Sequence, residues 1–507
     1  MTTATEQGGP TSPGKRRLGV PAVTFLIVAA SAPLTVIAGG ATTTYSVTHV
    51  AGVPLGYIVL AVALGVFAIG YAAMSRFITN AGAFYSYIAQ GLGRPVGLGS
   101  SFVALVSYNA MQIGIYGIFG FQVSSFIAEK TGAHVPWWAS VLVGIVLIGI
   151  MGVNRVDFSA KVLGVLVALE FVVVIVFDVV SFAQPTGGAV TAAPLSPTEL
   201  FVPAVGAAFS FGIAAFMGFE SAALYSEESK DPKRTIPRAT FIALIVIGGF
   251  YALSSWALAL AIGVPKIVDP NGIAADEAGP PLFFGYVAQH LGTIWVDIMS
   301  VLFITSVFAA LVSFHNAVAR YTFALAREGV LPAGLAQTRR SGAPWAGSLT
   351  QTVTAVVVIM IFAVAGIGSA YGEAFPVLTL FSWFPNAGAM GLVLLMTLVS
   401  AAVVGYFRRD ARGVGVLTRL VAPVAAVLLL GAVFVLILAN FTVLLGQSEP
   451  DATTFLLPAL ILVPGIAGVI AGLIIRRVNP ALYARIGRGV ASESAPVPDA
   501  TAANLLS

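Results

Sequence analysis

The chain has no cysteine and only four histidines in 507 residues. Without cysteine there is no disulfide, no thiol nucleophile and no Cys-based metal site. The histidines are scattered, so neither a catalytic nor a metal-ligating constellation can be assembled around them. Charge is equally scarce. Asp, Glu, Lys and Arg make up 9% of the chain, against about 25% in soluble proteins. No phosphate-cradling glycine loop is present, which argues against a primary, nucleotide-driven pump.

What fills the chain instead is apolar. Hydrophobic residues make up 58%, and the mean hydropathy is +0.96. Runs long enough to cross a bilayer recur along the whole length. The fold class expected is an all-α integral membrane protein with 12 spans. They lie near 18–47, 54–73, 95–128, 136–153, 161–182, 200–226, 236–262, 294–327, 346–370, 375–406, 414–445 and 455–475. The 54 glycines suit close helix contacts in lipid.

The charges support this count. With the N-terminus in the cytoplasm and sides alternating, all of the 25 Lys and Arg except Lys130 and Lys266 fall in cytoplasmic segments or span ends. That is the positive-inside bias. The net charge of +4 is therefore a topology signal, with contact to anionic lipid, and not a nucleic-acid footprint. The reading is a multi-pass plasma-membrane protein with both termini cytoplasmic and no cleavable signal peptide. Residues 1–17 and 489–507 read as disordered tails. Nothing in the sequence specifies an oligomeric state.

Two spans are interrupted. The first holds Ala30-Ser31-Ala32-Pro33-Leu34-Thr35-Val36-Ile37-Ala38-Gly39-Gly40. Pro33 removes a backbone donor and clashes with the preceding turn, and Gly39 and Gly40 loosen the following one. The sixth holds Phe216-Met217-Gly218-Phe219-Glu220, a glycine beside a carboxylate where lipid makes charge costly. Unwound backbone at that depth is tolerated only where protein covers it or a cavity lies beside it. Breaks in helices one and six are what two five-helix repeats, 18–183 and 197–407, would produce. Residues 414–477 then add helices 11 and 12. Ala89-Gln90-Gly91-Leu92-Gly93 before span three is echoed by Ala288-Gln289-His290-Leu291-Gly292 before span eight. Five is odd, so the two repeats would be inverted.

Three motifs then name a family. Phe216-Met217-Gly218-Phe219-Glu220 is followed by Glu227-Glu228, Pro232, Arg234, Ile236, Pro237 and Arg238. Asn80-Ala81-Gly82-Ala83-Phe84-Tyr85-Ser86-Tyr87 precedes span three, and Ala319-Arg320 through Ala326-Arg327-Glu328-Gly329-Val330-Leu331-Pro332 closes span eight. In this order and on these sides, the chain resembles the amino acid–polyamine–organocation permeases from residue 18 to about 406. The resemblance implies a LeuT-like fold of five plus five helices and alternating access around a solute held between helices one, three, six, eight and ten. The solute it implies is an amino acid or related amine.

Candidate residues follow. Ser31, Ala32, Pro33, Leu34, Thr35, Val36 and Ile37 offer freed N–H groups to a carboxylate and freed C=O groups to an ammonium, with Met217 and Gly218 opposite. The bland alternative is a proline kink. Phe211 or Phe216 could close over the solute, as an aromatic near this break does in the family; either could equally be core packing. Glu220 could be a proton-sensitive group, the role proposed for this carboxylate in some relatives, or it could tie the half-helix down by an interhelical hydrogen bond. Glu170 sits mid-span among apolar residues, where several kinds of relative place a lysine near a sodium site. It could load and release a proton, ligate sodium, or bond to a neighbouring helix, with Ser313 expected opposite. His315 and Asn316 in span eight could line the pore, or be hydrogen-bonded bundle residues. Glu227 and Glu228 could pair with Arg320 and Arg327 as a weak, reversible inner gate. The expected function is secondary active import of amino acids with H+, or alternatively Na+, as coupling ion and no other cofactor. A polyamine or small-amine permease, an exchanger, and more remotely a non-transporting receptor are the rivals.

Overall fold

A computed structural model describes residues 19–29, 31–78, 83–154, 160–219, 229–339 and 343–487. The described residues are built from helices. In chain order these are α1 Val20–Ala29, a π-helical segment Thr35–Ala41, α2 Thr42–Thr48, α3 Val53–Ser75, α4 Ala83–Gly91, α5 Arg94–Thr131, α6 Trp137–Asn154 and α7 Ala160–Ala183. Next come α8 Pro197–Leu200, α9 Val205–Phe216, α10 Pro232–Ile262, α11 Val264–Val268, α12 Pro280–His290, α13 Thr293–Glu328 and α14 Trp345–Ala365. The last are α15 Ser382–Arg409, α16 Ala422–Ala439, α17 Phe441–Leu444, α18 Ala452–Val478 and α19 Pro480–Arg485. Among the described residues, ten helical stretches are long and apolar enough to cross a membrane. The regions expected as spans one and six hold shorter pieces, α1 to α2 and α9.

Helix ends sit where backbone chemistry places them. Proline occupies the first turn of α3, α5, α10 and α12, where its missing N–H costs nothing. Asp451 caps α18, accepting from the N–H groups of Thr453 and Thr454. Those bonds, led by that of the Thr453 hydroxyl, hold its carboxyl below the usual carboxylate range.

The two longest helices, α5 and α13, have 38 and 36 residues and pack against each other. Each follows a short helix (α4, α12) and a positive-φ glycine, Gly93 at 106° and Gly292 at 87°. The echo at residues 89–93 and 288–292 thus marks the same helix–glycine–helix corner twice. α5 is central, packed by α13, α15 and α18. Its glycines let these neighbours approach: a Cβ on Gly114 would lie 2.1 Å from Pro385 Cδ, and one on Gly99 2.6 Å from the Gly465 carbonyl. The outward faces of α6, α14, α16 and α18 expose Val143, Ile150, Val357, Ile361, Leu428, Leu456 and Ile470, an apolar perimeter that water does not favour.

At the C-terminal end of α13 a carboxylate acts as a clasp. Glu328 is buried and accepts from the Tyr85 hydroxyl of α4 at 2.7 Å and from the Gly487 N–H, just beyond α19, at 3.4 Å. Burial, then the charge of Glu328, pushes the Tyr85 phenol far above its ordinary range, so it stays a donor. Arg485 adds a bond to the Arg327 carbonyl at 2.8 Å. Glu328→Ala orphans both donors and is expected to cost about 2 kcal/mol, the range for a hydrogen bond to a charged group. Thermal unfolding in detergent checks it; an unchanged midpoint would mean that the clasp carries no stability.

Candidate functional site

The first break forms at Ala32. α1 ends at Ala29, Ser31 bonds back to the Val28 carbonyl through both its N–H and its hydroxyl, and Ala32 sits at φ 45°. A left-handed alanine is uncommon and costs on the order of 1–2 kcal/mol. Pro33 then starts the next helical piece, and the chain passes through the wide π-helical turns of Thr35–Ala41. Leu34, Val36 and Ile37 are buried there. Gly39 serves close packing: a Cβ would meet Ile118 Cδ1 at 2.6 Å.

Three buried side chains grip this break. Glu170 on α7 is 2% exposed, and its Oε2 accepts from the Leu34 N–H at 3.2 Å. The Ser306 hydroxyl on α13 also bonds this carboxylate and accepts from the Thr35 hydroxyl at 2.9 Å. Tyr251 on α10 donates to the Ser31 carbonyl at 2.6 Å. A carboxylate on an N–H and a phenol on a C=O thus hold opposite sides of the interruption, and α7, α10 and α13 all converge on it.

The expected partner of Glu170 is corrected here. Ser313 is exposed, and its hydroxyl bonds back to the Ala309 carbonyl at 3.0 Å. Ser306, two turns earlier on α13, is the hydroxyl at the carboxylate. Distance from the motif at 326–329 points to Ser313, but α13 has 36 residues. That length exceeds the ~20 residues a bilayer needs, so the hydroxyl at the carboxylate lies further from the motif than a helix of bilayer length would put it.

The second break lies at the end of α9. Met217 leaves the helix at ψ 138° and Gly218 follows at φ 107°. Phe209, Gly212 and Phe216 form the α9 face against α3: Gly212 meets Leu60, and Phe216 packs edge-on to Tyr57 with centroids 6.2 Å apart. Phe216 also touches Tyr251 at 6.1 Å, which places it one ring behind the first break. Ser210 faces α15 through the Asn386 carbonyl at 3.3 Å. At about 100° per residue, Phe211 is offset from both of these faces; the other neighbours of α9 are α16, α17, α2 and the π-helical segment.

Glu220, Glu227 and Glu228 lie outside the described residues. Of the expected inner-gate cations, Arg320 is exposed, and the Arg327 guanidinium lies 5.6 Å over the Phe323 ring. His315 is fully engaged: its Nε2 meets Ser348 Oγ at 2.7 Å and its Nδ1 meets Gln112 Nε2 at 3.3 Å. It ties α5, α13 and α14 together. Two open crevices of about 400 and 360 Å³ include Phe119 and Phe308, and Phe121 and Phe375, among their walls; neither is lined by a residue of the breaks.

Sequence reasoning missed Tyr251, Ser306 and Asp178. A tyrosine or serine in an apolar helix carries no signal of its partner. Asp178 did carry one, being an acid inside an apolar span eight residues after Glu170.

A family model for amino acid permeases matches residues 18–467. A branched-chain amino acid permease of Lactococcus lactis is 26% identical over 325 residues, covering 61% of this chain and 68% of that protein. A low-affinity putrescine importer of Escherichia coli is 25% identical over 288 residues, covering 55% and 60%. A dicarboxylic amino acid permease of Saccharomyces cerevisiae is 25% identical over 262 residues, covering 49% and 40%. The matched stretches thus span about two thirds of the first relative and less of the other two.

Proposed function

The chain belongs to the amino acid permease family, and we propose that it imports amino acids across the plasma membrane by proton-coupled alternating access. A multi-pass membrane transporter is what the family and the ten apolar helical stretches give. The solute, the coupling and the cycle are our reading. It places a zwitterion between the Ala32 and Gly218 breaks, with Phe211 as the aromatic closing over it. The repeated helix–glycine–helix corner at α5 and α13 supports two inverted five-helix repeats within a 12-span LeuT-like bundle, termini inside.

One observation carries the coupling: the Glu170 carboxylate holds the Leu34 N–H. An ionised acceptor makes a bond roughly twice as strong as a neutral one. Protonating Glu170 therefore loosens its hold on the break, and releasing the proton inside restores it. Proton occupancy and the shape of the solute site become one equilibrium, as linkage requires. The Ser306–Thr35 bond keeps α13 in register with the segment that moves.

Similarity to a putrescine importer favours a small amine as the second reading. A dication would need a carboxylate at the site, and Glu220 is the acid closest in sequence to the second break.

Uptake by the purified protein in liposomes, across an amino acid and amine panel with proton and sodium gradients imposed separately, tests this. Accumulation of a neutral amino acid driven by the proton gradient is expected. Uptake driven by sodium alone overturns the coupling, and uptake confined to amines overturns the solute.

A further inference from the structure

Glu170 is not the only acid buried in α7. Asp178, eight residues on, is 5% exposed. Eight residues is about 12 Å along a helix axis, which places Asp178 towards the outer end of α7 in the proposed orientation. Its Oδ2 accepts from the Ser254 hydroxyl of α10 at 2.7 Å. Its Oδ1 is sealed from the surface and meets no hydrogen-bond donor among the described residues. A buried carboxyl needing only one donor to hold α10 would be served as well by an amide, whose second atom could find a carbonyl. An acid with one oxygen bonded and the other bare is instead set up to take a proton on the bare oxygen.

Polar groups lead away from Asp178 in both directions. Outward, Ser181 lies one turn on, beside the Tyr286 hydroxyl. Tyr286 stands on α12, bonded to the Gln184 carbonyl at 2.7 Å, and stacks on His290 at 4.0 Å. Inward, Ser254 is one turn from Tyr251 on α10, and Tyr251 grips the same break as Glu170. Beside this path the rings of Phe177, Phe283 and Tyr286 are buried against one another.

We propose that Asp178 is a second proton-binding site, the outer station on α7, which receives protons from the external face and passes them to Glu170. The relay rests on the coupling proposed above. In each turn Asp178 loses the proton that the Glu170 carboxylate gains. An intervening hydroxyl of Ser254 or Tyr251 accepts one proton and gives one up, so no charge stays on the relay. The polar groups of the surrounding helices fit this role. Ser254 of α10 is bonded to Asp178, and Tyr251 lies one turn away on the same helix. Tyr45 of α2 is bonded to the neighbouring Ser255 carbonyl at 2.9 Å. Tyr286 of α12 is bonded to the Val180 and Gln184 carbonyls and stacks on His290, and Asp297 of α13 is already paired with Lys130. No cation among these is close enough to form an ion pair with Asp178, so a proton is the charge available to it.

The test uses the full chain in liposomes and two readouts. Infrared difference spectra on acidification should contain a carboxylic acid band that Asp178→Asn removes and Glu170→Gln leaves in place. Proton-driven uptake by Asp178→Asn should fall on the order of tenfold or more, the scale of losing a positioned proton-transfer group, and Asp178→Glu should restore it. Spectra and uptake unchanged in Asp178→Asn overturn the outer station, as does a loss of uptake that Asp178→Glu fails to restore, because that marks a purely structural contact with Ser254. Native protein indifferent to a proton gradient overturns the coupling itself and the relay with it. Native protein that is proton-driven beside an equally driven Asp178→Asn overturns the relay alone.

Discussion

Glu170→Gln is expected to end proton-driven accumulation while leaving the bundle folded. The amide is nearly isosteric with the acid, and its oxygen can still accept from the Leu34 N–H. The amide nitrogen can donate to the Ser306 oxygen, the hydroxyl that bonds the native carboxylate. What is lost is the cycle between an ionised and a neutral acceptor. A gradient of one pH unit is worth about 1.4 kcal/mol, or about tenfold accumulation for one coupled proton. In the variant that ratio should collapse towards equal concentrations on both sides, and uptake should lose its dependence on external pH. Because the amide mimics the protonated acid, the Leu34 bond is permanently of the weaker kind. Solute equilibration should therefore persist, and the measurement needed is accumulation ratio against imposed pH gradient, native beside variant. A variant that concentrates solute as the native protein does would remove Glu170 from the coupling.

The same residue shows what the sequence made legible. An acid in an apolar run has to be paired or functional, and Glu170 is indeed buried against backbone and a hydroxyl. Pro33 made the first interruption legible, because a proline mid-span must break the ladder. The strain itself falls one residue earlier, on Ala32. No local rule selects a left-handed alanine; packing of the surrounding helices imposes it. Gly39 and Gly40 lie within the wider π-helical turns as a loosened stretch would, but the close approach of Ile118 to Gly39 depends on a neighbour far away in sequence. Ser306 was out of reach for the same reason. Which turn of α13 meets α7 depends on how far a long helix overruns the bilayer, and composition does not encode that. Phe211 and Phe216 look alike in sequence, five residues apart. Only the seating of Phe209, Gly212 and Phe216 against α3 separates them.

Gly218→Val is expected to have the other large effect. Gly218 holds φ 107°, far from anything a β-branched residue adopts at low cost. Forcing valine there costs on the order of 1–3 kcal/mol. That cost appears in one of two places. If the surrounding packing enforces the break, the whole fold loses stability. If the break is a working part with little stability of its own, the chain relaxes towards continuous helix and the solute site is what suffers. Its neighbours favour the second outcome. Phe216 and Phe219, on either side, are anchored by Tyr57, Tyr251 and Phe67, so the adjustment is confined to Met217 and Gly218. Solute affinity should then fall about tenfold to a hundredfold, 1.4 kcal/mol being tenfold, with the thermal midpoint little changed. Gly249→Ala is the control: it sits exposed on α10, and an added Cβ meets nothing within 4 Å. Solute binding and thermal unfolding measured on both variants separate the cases. If Gly218→Val bound solute as tightly as Gly249→Ala, the second break would be a bend in the scaffold and the solute would have to be held by the Ala32 break alone.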